Sequence, residues 1–467
     1  MEENRVETLL NAIINGETID FNPQSRMEEY LKNCINKTGV EGLPTPQSRM
    51  DALLYRLAET IASGGGGGNT GMTAKEWLRL RNGTRLFYNL TTIDEVTLTS
   101  LLSNIGNVLS DAEDMFYNCT NLPTVPLFDT SNVENMNKMF YGCKVLTEVP
   151  LLNTSKVTTM ASMFYTCANL PTVPLFDTSN VKNMNKMFAG CKVLTEVPLF
   201  DTSNVEDMNS MFNGCTVLTE VPLFNTSKVT TMTGMFLAAA VQTIPAFNTS
   251  NVNNMETMFK QCETVTTIPY INTSKVTTMS YMFNLCTALK TIPSIDTSNV
   301  ENMTYMFAKS GVEEIPSLDT SKVTNMSYMF NNCINLKTIT SLDLRRVTNT
   351  TSMFTGCSAC TDIRLKNIRY NLQVGSGTSY GHLLTVDSLI NLIYELRNTG
   401  SSLTLTMGTA NLAKLADVYV KTIEITDEMR AEDDLIDEKL PFVVCESTDE
   451  GATLITDYVL AKKWTLK

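Results

Sequence analysis

The sequence predicts an α/β solenoid, in which short parallel strands and short helices stack turn upon turn behind a small α-helical amino-terminal segment. Three observations carry this expectation. Met-Phe pairs begin at Met115, Met139, Met163, Met187, Met211, Met235, Met258, Met282, Met306, Met329 and Met353, in steps of 24 and occasionally 23 residues. A fixed period of this size marks stacked supersecondary units. Two blocks, Phe128–Leu151 and Phe176–Leu199, differ only at Glu134/Lys182 and Tyr141/Ala189, as expected of a two-rung duplication where each unit touches mainly its neighbours. Finally, 467 residues exceed what one compact core usually holds.

Residues 1–63 carry a different repeat: "NRVETLL" at Asn4, "SRMEEYL" at Ser25 and "SRMDALL" at Ser48. Each opens on a residue that caps a helix, with Glu7, Glu28 or Asp51 three places on, as in a capping box. Apolar residues follow at helical spacing, among them Leu9, Leu10, Ile13, Leu31, Leu53 and Leu54. Three amphipathic helices this short are unstable alone and must pack on each other or on a partner. Residues 64–71 read as a Gly-rich hinge, since "GGGGGNTG" lacks the Gly-Lys-Ser/Thr of a phosphate loop.

Open ends of a repeat array need covers. Residues 72–114, with Trp77 and Leu78, are assigned to the first cap, 115–357 to about eleven rungs, and 358–467, with Trp464, to the second cap. Within a rung, Val157, Met160, Met163, Phe164 and Cys167 keep the 3 and 4 residue spacing of a helical stripe. The preceding "NTSK" or "DTSN" supplies acceptors for a helix start. After the Cys comes an apolar, β-branched segment such as "VLTEVPLF", ending near Pro150, Pro174 or Pro198, which reads as one short strand per rung.

Nine column cysteines, Cys119 to Cys357, stand three places after the Phe, and the register breaks to Ala239 and Ser310. Those substitutes suit a small buried filler, not a disulfide or metal ladder. Helices on adjacent rungs would lie about 8–10 Å apart, beyond disulfide reach, so these thiols are expected to stay reduced. The column that holds Asn153, Asn225, Asn248 and Asn272 elsewhere holds Asp129, Asp177, Asp201, Asp296 and Asp319. It is read as a turn or capping acceptor rather than a glycosylation site.

A net charge of −13 argues against nucleic-acid binding, and no apolar run is long enough to span a membrane. The start "MEENRVETLL" has neither a basic region nor an apolar core, so no secretion signal is expected. His382, the lone histidine, precedes an apolar helix and is read as a cap residue. Glu432, Asp433, Asp434 and Asp437 lack the spacing and turning Gly of a calcium loop. No catalytic, cofactor or metal site is therefore expected, and the chain is not read as an enzyme.

Units such as "LTEVPLFDTSNVEDMNSMFNGC" resemble the leucine-rich-repeat variant of BspA-like bacterial surface proteins, over about Asp114 to Cys357. That resemblance implies a leucine-rich solenoid used for adhesion. The "PQSR" segment with its glycine run resembles the amino-terminal segments of fibre and related structural proteins of phages of Gram-positive bacteria. The region "LLTVDSLINLIYELRNTG" to "KKWTL" resembles the closing segment of leucine-rich phage structural proteins, apart from the acidic insert "TDEMRAEDDLIDEK". Together these resemblances imply a virion fibre or decoration protein, made in the host cytoplasm and released by lysis. Residues 1–63 would then dock it to other virion proteins while the repeats contact a host surface polysaccharide or protein. A bacterial surface adhesin and a polysaccharide-degrading tail enzyme are the competing readings; an enzyme would need a carboxylate pair in a groove.

Variation between rungs concentrates in a few columns. The residue after the strand proline runs Leu127, Leu151, Leu175, Leu199 and Leu223, then Ala246, Tyr270, Ser294 and Ser317, with Ser341 in the same column after Thr340. The residue before the Met turns aromatic at Tyr281, Tyr305 and Tyr328. On a helix whose core face is Met279, Met282 and Phe283, these tyrosines would point outward as an exposed ladder. Tyr270, Tyr281, Tyr305 and Tyr328 are thus the candidate ligand-binding residues, suited to sugar rings, a protein partner, or a second copy in a homo-oligomer.

Overall fold

The structure is a computed structural model that describes residues 86–89, 98–99, 102, 109–374, 384–397, 403–407, 409–433, 439, 441–462 and 464–466. The segments expected at 1–63 and 64–71, and much of 72–114, lie outside the described residues, as does His382. Internal contacts divide the chain into two units, Met1–Val205 and Glu206–Lys467. Four Met-Phe rungs fall in the first and seven in the second.

Each rung is built from β-turns, not from the expected helix. In the rung of Met139, turn bonds close from Met139 N to Met136 O (3.2 Å), Tyr141 N to Lys138 O (3.0 Å) and Cys143 N to Phe140 O (3.1 Å). The alternate amides donate instead to the next rung: Met136 N to Thr159 O, Lys138 N to Ala161 O, Phe140 N to Met163 O and Gly142 N to Tyr165 O, at 2.8–3.0 Å. Odd positions thus close turns and even positions join rungs, so the segment satisfies its donors without an α-helical bond. A helix is excluded because Lys138 (φ 53°) and Gly142 (φ 74°) are left-handed, and a right-handed helix does not pass through such residues. Turns that close over three residues still gather Met136, Met139, Phe140 and Cys143 on one side. That is why their spacing imitates a helical stripe.

The expected strand is also absent from most rungs. Over "LTEVPLL" the backbone gives Thr147 N to Pro123 O and the tight Leu152 N to Pro150 O closure, both 2.9 Å, and Pro150 itself has no amide to donate. Rungs pair through single parallel bridges, Asn135 to Thr159 and Thr159 to Asn183 in the first unit, and a series from Asp207 to Asn349 in the second.

Two columns of short polar side chains hold the turns. Asp129 Oδ1 accepts Ser131 N (2.9 Å) and Asn153 Oδ1 accepts Ser155 N (3.2 Å), the same bond from either residue type, as the Asn/Asp interchange implies. They cap turns rather than helices, because no helix follows. Beside them the buried Thr154 donates to Asp177 O (2.8 Å) one rung on, and Thr297 does the same to Asp319 O (2.8 Å).

The interior is a set of apolar columns. Val157, Met160, Met163, Phe164, Cys167 and Leu170 are all fully buried, and the same is true of Val300, Met303, Met306 and Phe307 in the second unit. The phenylalanines stack face to face, at 5.3 Å between Phe116 and Phe140 and 5.5 Å between Phe283 and Phe307. Burial of each such side chain stabilises the rung by about 1.5–3 kcal/mol.

From Thr338, just before the last Met-Phe pair, the backbone changes character. Strands β1 (Thr338–Asp343) and β2 (Asp362–Lys366) pair in parallel. β3 (Leu372–Gln373) pairs with β4 (Leu403–Thr406), which pairs with β8 (Trp464–Leu466), all parallel. Between them in sequence lie α1 (Val386–Tyr394), α2 (Thr409–Ala413), β5 (Tyr419–Thr422), α3 (Asp427–Glu432), β6 (Phe442–Cys445), β7 (Thr453–Leu454) and α4 (Ile455–Ala461). β5 is flanked by β6 and β7, antiparallel to both. Helix α1, the apolar helix expected after His382, is capped by Thr385 Oγ1 accepting Ser388 N (3.1 Å). Trp464 is buried and donates through Nε1 to Arg397 O (2.8 Å). Buried Lys439 joins Glu395 Oε1 (2.9 Å) and also meets Asp433 of the acidic insert, so neither buried charge is left alone. No described helix is long and apolar enough to cross a membrane.

Candidate functional site

The rung places two neighbouring columns on its turn face: the residue before the Met and the residue after the Phe. Tyr281, Tyr305 and Tyr328 occupy the first. Their rings stack at 4.7 and 4.5 Å with planes within 7°, and Lys260 Nζ of the preceding rung sits 4.6 Å over the Tyr281 ring, a cation–π contact. All three are left-handed, at φ 59°, 55° and 58°.

The sequence reading of an outward ladder on a helix is corrected here in two respects. The three residues are the left-handed positions of turns, and they are half-buried rather than fully exposed. Their faces cover one another, so the surface they offer is a row of hydroxyls and ring edges at rung spacing. Burial, followed by the charges of Tyr328 and Tyr281, pushes the Tyr305 phenol above its usual value of 10.0. The Tyr305 hydroxyl therefore stays protonated at neutral pH. Tyr270 stands apart from this row. It lies in the column after the proline, is 70% exposed, and makes no ring contact among the described residues. Leu9, Leu10, Ile13, Leu31, Leu53 and Leu54 lie outside the described residues.

Sequence reading missed a second ladder. Tyr88, Tyr117, Tyr141 and Tyr165 stack at 4.8, 4.5 and 4.5 Å in the column after the Phe. Tyr117, Tyr141 and Tyr165 recur at the repeat period, which was signal enough; Tyr88 falls out of register and no periodicity marks it. Burial and its two neighbours also push the Tyr141 phenol up. This row ends at Ala189, one of the two positions at which the duplicated blocks differ. A third row, Leu127, Leu151, Leu175 and Leu199, is 60–69% exposed.

The cysteine column is free and buried. Its expected reason needs correction, because rungs stack at the ring spacing of 5–6 Å given above and not at helix spacing. Distance alone does not keep the thiols apart. Each is engaged instead, with Cys143 Sγ donating to Phe116 O (3.1 Å) and Cys357 Sγ to Phe330 O (3.0 Å). Burial pushes Cys262 and Cys333 up to about 12, so the reactive thiolate is not populated near neutrality. Among the described residues, no group of three or more His, Cys, Asp or Glu is placed to hold a metal ion.

These features define a tandem-repeat protein of leucine-rich-repeat-like kind, with an apolar interior repeated rung by rung and a turn face that varies. The chain belongs to the family described as "Mycoplasma protein of unknown function, DUF285", matched over residues 110–216, 192–267 and 263–367. Among solved structures it is similar to one titled "Functional domain of InlJ from Listeria monocytogenes includes a cysteine ladder", at 12% identity and a TM-score of 0.20, covering 78% of this chain and 82% of that chain. No curated protein matches the chain.

Proposed function

We propose that the chain is a non-enzymatic virion structural protein, a tail or head fibre or decoration protein, that presents its repeats to a host cell surface. The observation that carries the reading is the Tyr281–Tyr305–Tyr328 ladder. The fold does not require tyrosine there, since the same left-handed column accepts Lys138, Ser162, Ser210 and Thr257. Bulky residues at such positions cost about 1–2 kcal/mol each, and three in succession point to a role at the surface. The hydroxyl row and ring edges suit the hydroxyls of a host polysaccharide, which repeat along a chain as the rungs do.

On this reading residues 1–63 dock the chain to other virion proteins through Leu9, Leu10, Ile13, Leu31, Leu53 and Leu54, and copies associate laterally. The protein is made in the host cytoplasm and leaves by lysis. Immunogold microscopy on intact particles tests it: label on the virion is expected, and a chain lacking residues 1–63 should fold yet be absent from particles. Label on the bacterial envelope of uninfected cells would move the protein to the surface-adhesin class instead.

A further inference from the structure

Where the repeats give way to the strands that follow, the second unit holds a cleft of about 540 Å³, within the range of small-ligand sites. One wall is the last turn face, Thr348 to Ser352. The other is Tyr370 to Gln373 with residues of β4, including Thr404 and Thr406. Ser352 stands in the same column as the tyrosine ladder, one rung beyond Tyr328, and shares its left-handed backbone (φ 51°).

The chemistry of the lining is narrow. Among the described residues it contains no carboxylate, ammonium, guanidinium or imidazole, and consists of hydroxyls and amides with Leu372 and Leu403. Its frame is fixed: Asn371 Oδ1 accepts Thr404 N (2.7 Å), Thr350 Oγ1 donates to Asn371 O (3.2 Å), and Asn349 Oδ1 accepts Thr351 N (3.0 Å). The Gln373 amide and the Ser352 and Thr406 hydroxyls face no such demand, since no hydrogen bond engages them among the described residues. Tyr370 is 45% exposed, and no aromatic neighbour covers its ring among the described residues.

We infer that this cleft binds a neutral oligosaccharide, its hydroxyls taken by Gln373, Ser352 and the threonines and one sugar ring laid on Tyr370. A metal ion would need carboxylates, and a phosphate or nucleic acid would need cations. An apolar ligand would leave the amides unpaired at a cost of about 1–3 kcal/mol each. A neutral polyol, with donors and acceptors on every carbon, matches a wall of the same kind. This site is separate from the tyrosine ladder and does not depend on its role.

The test is titration calorimetry of the full-length protein with neutral hexasaccharides of glucose, galactose, mannose and N-acetylglucosamine, and with hexagalacturonate as the anionic probe. At least one neutral hexasaccharide should bind, with hexagalacturonate weaker. Tyr370→Ala should weaken binding about tenfold, the loss of one aromatic contact, and Gln373→Ala should weaken it by a smaller factor. The triple change of Tyr117, Tyr141 and Tyr165 to Ser, in the ladder to which no binding role is given, should leave it unchanged. Near-ultraviolet circular dichroism checks that the variants are folded. The assignment is overturned if no neutral hexasaccharide binds, if neither cleft variant weakens binding, if hexagalacturonate binds as well, or if the ladder variant loses binding equally.

Discussion

The two tyrosine ladders have the same stacking geometry on different backbones. Rings in the Tyr88–Tyr165 row lie 4.5–4.8 Å apart and those in the Tyr281–Tyr328 row 4.5–4.7 Å. The first row uses ordinary φ at Tyr117, Tyr141 and Tyr165, while all three residues of the second are left-handed. Ring spacing is therefore a property of the rung repeat, and backbone cost is a property of the column. The first ladder fits its column without strain. The second is held where Gly234 and three serines also serve, and that contrast is why the second is assigned to function.

The largest expected effect shows what the two regions share. Phe140→Ala and Phe307→Ala each remove a fully buried ring from equivalent columns, and each should destabilise its unit by about 3–5 kcal/mol in urea unfolding. A difference of more than about 2 kcal/mol between them would mean that the interiors are not equivalent, and the comparison of ladders would lose its baseline.

A smaller effect separates the ladders. Tyr141→Asn gives up two ring contacts worth about 0.5–1.5 kcal/mol each. Tyr305→Asn gives up the same contacts but relieves a left-handed tyrosine, a conformation that Asn tolerates, and so regains about 1 kcal/mol. The substitution at 305 should therefore cost clearly less than that at 141. Equal costs would remove the argument from strain.

The smallest effect concerns pH and reaches both units. Hydrogen bonds from Ser131, Ser298 and Ser321 hold Asp129, Asp296 and Asp319 below the ordinary carboxylate value of 3.8. A depressed folded-state pKa contributes stability that is present above the unfolded value and lost as pH falls through the folded one. Stability should then drop slightly below about pH 4, screened by exposure and salt. Changing all three to Asn, which makes the same turn bond at Asn153, should flatten that part of the pH profile. An unchanged profile would show that other acids dominate.

The repeat, its register and its buried columns were legible because identical rungs place identical residues in identical surroundings. The Asn/Asp interchange even disclosed the turn acceptor without a structure. Local conformation was less legible. Apolar residues three and four apart satisfy a helix and a chain of β-turns alike, and only the tolerance of Gly234 and Gly142 in columns shared with Lys138 and Thr166 hinted at left-handed backbone. The Tyr281–Tyr328 row was found by its period. Its face-to-face stacking was not, because that follows from a rung spacing set by backbone bonds between rungs. The cleft at Tyr370 joins residues from 348 to 406 across the end of the repeat, where periodicity carries no information.

The most direct measurement of the central claim is adsorption of particles carrying Tyr281→Ser, Tyr305→Ser and Tyr328→Ser together. Serine already occupies this column at Ser162, Ser210 and Ser352, so folding and incorporation into particles should be retained. Adsorption to host cells is expected to fall while the same particles carrying Tyr117→Ser, Tyr141→Ser and Tyr165→Ser adsorb normally. Undiminished adsorption by particles that carry the changed Tyr281–Tyr328 row would contradict the account.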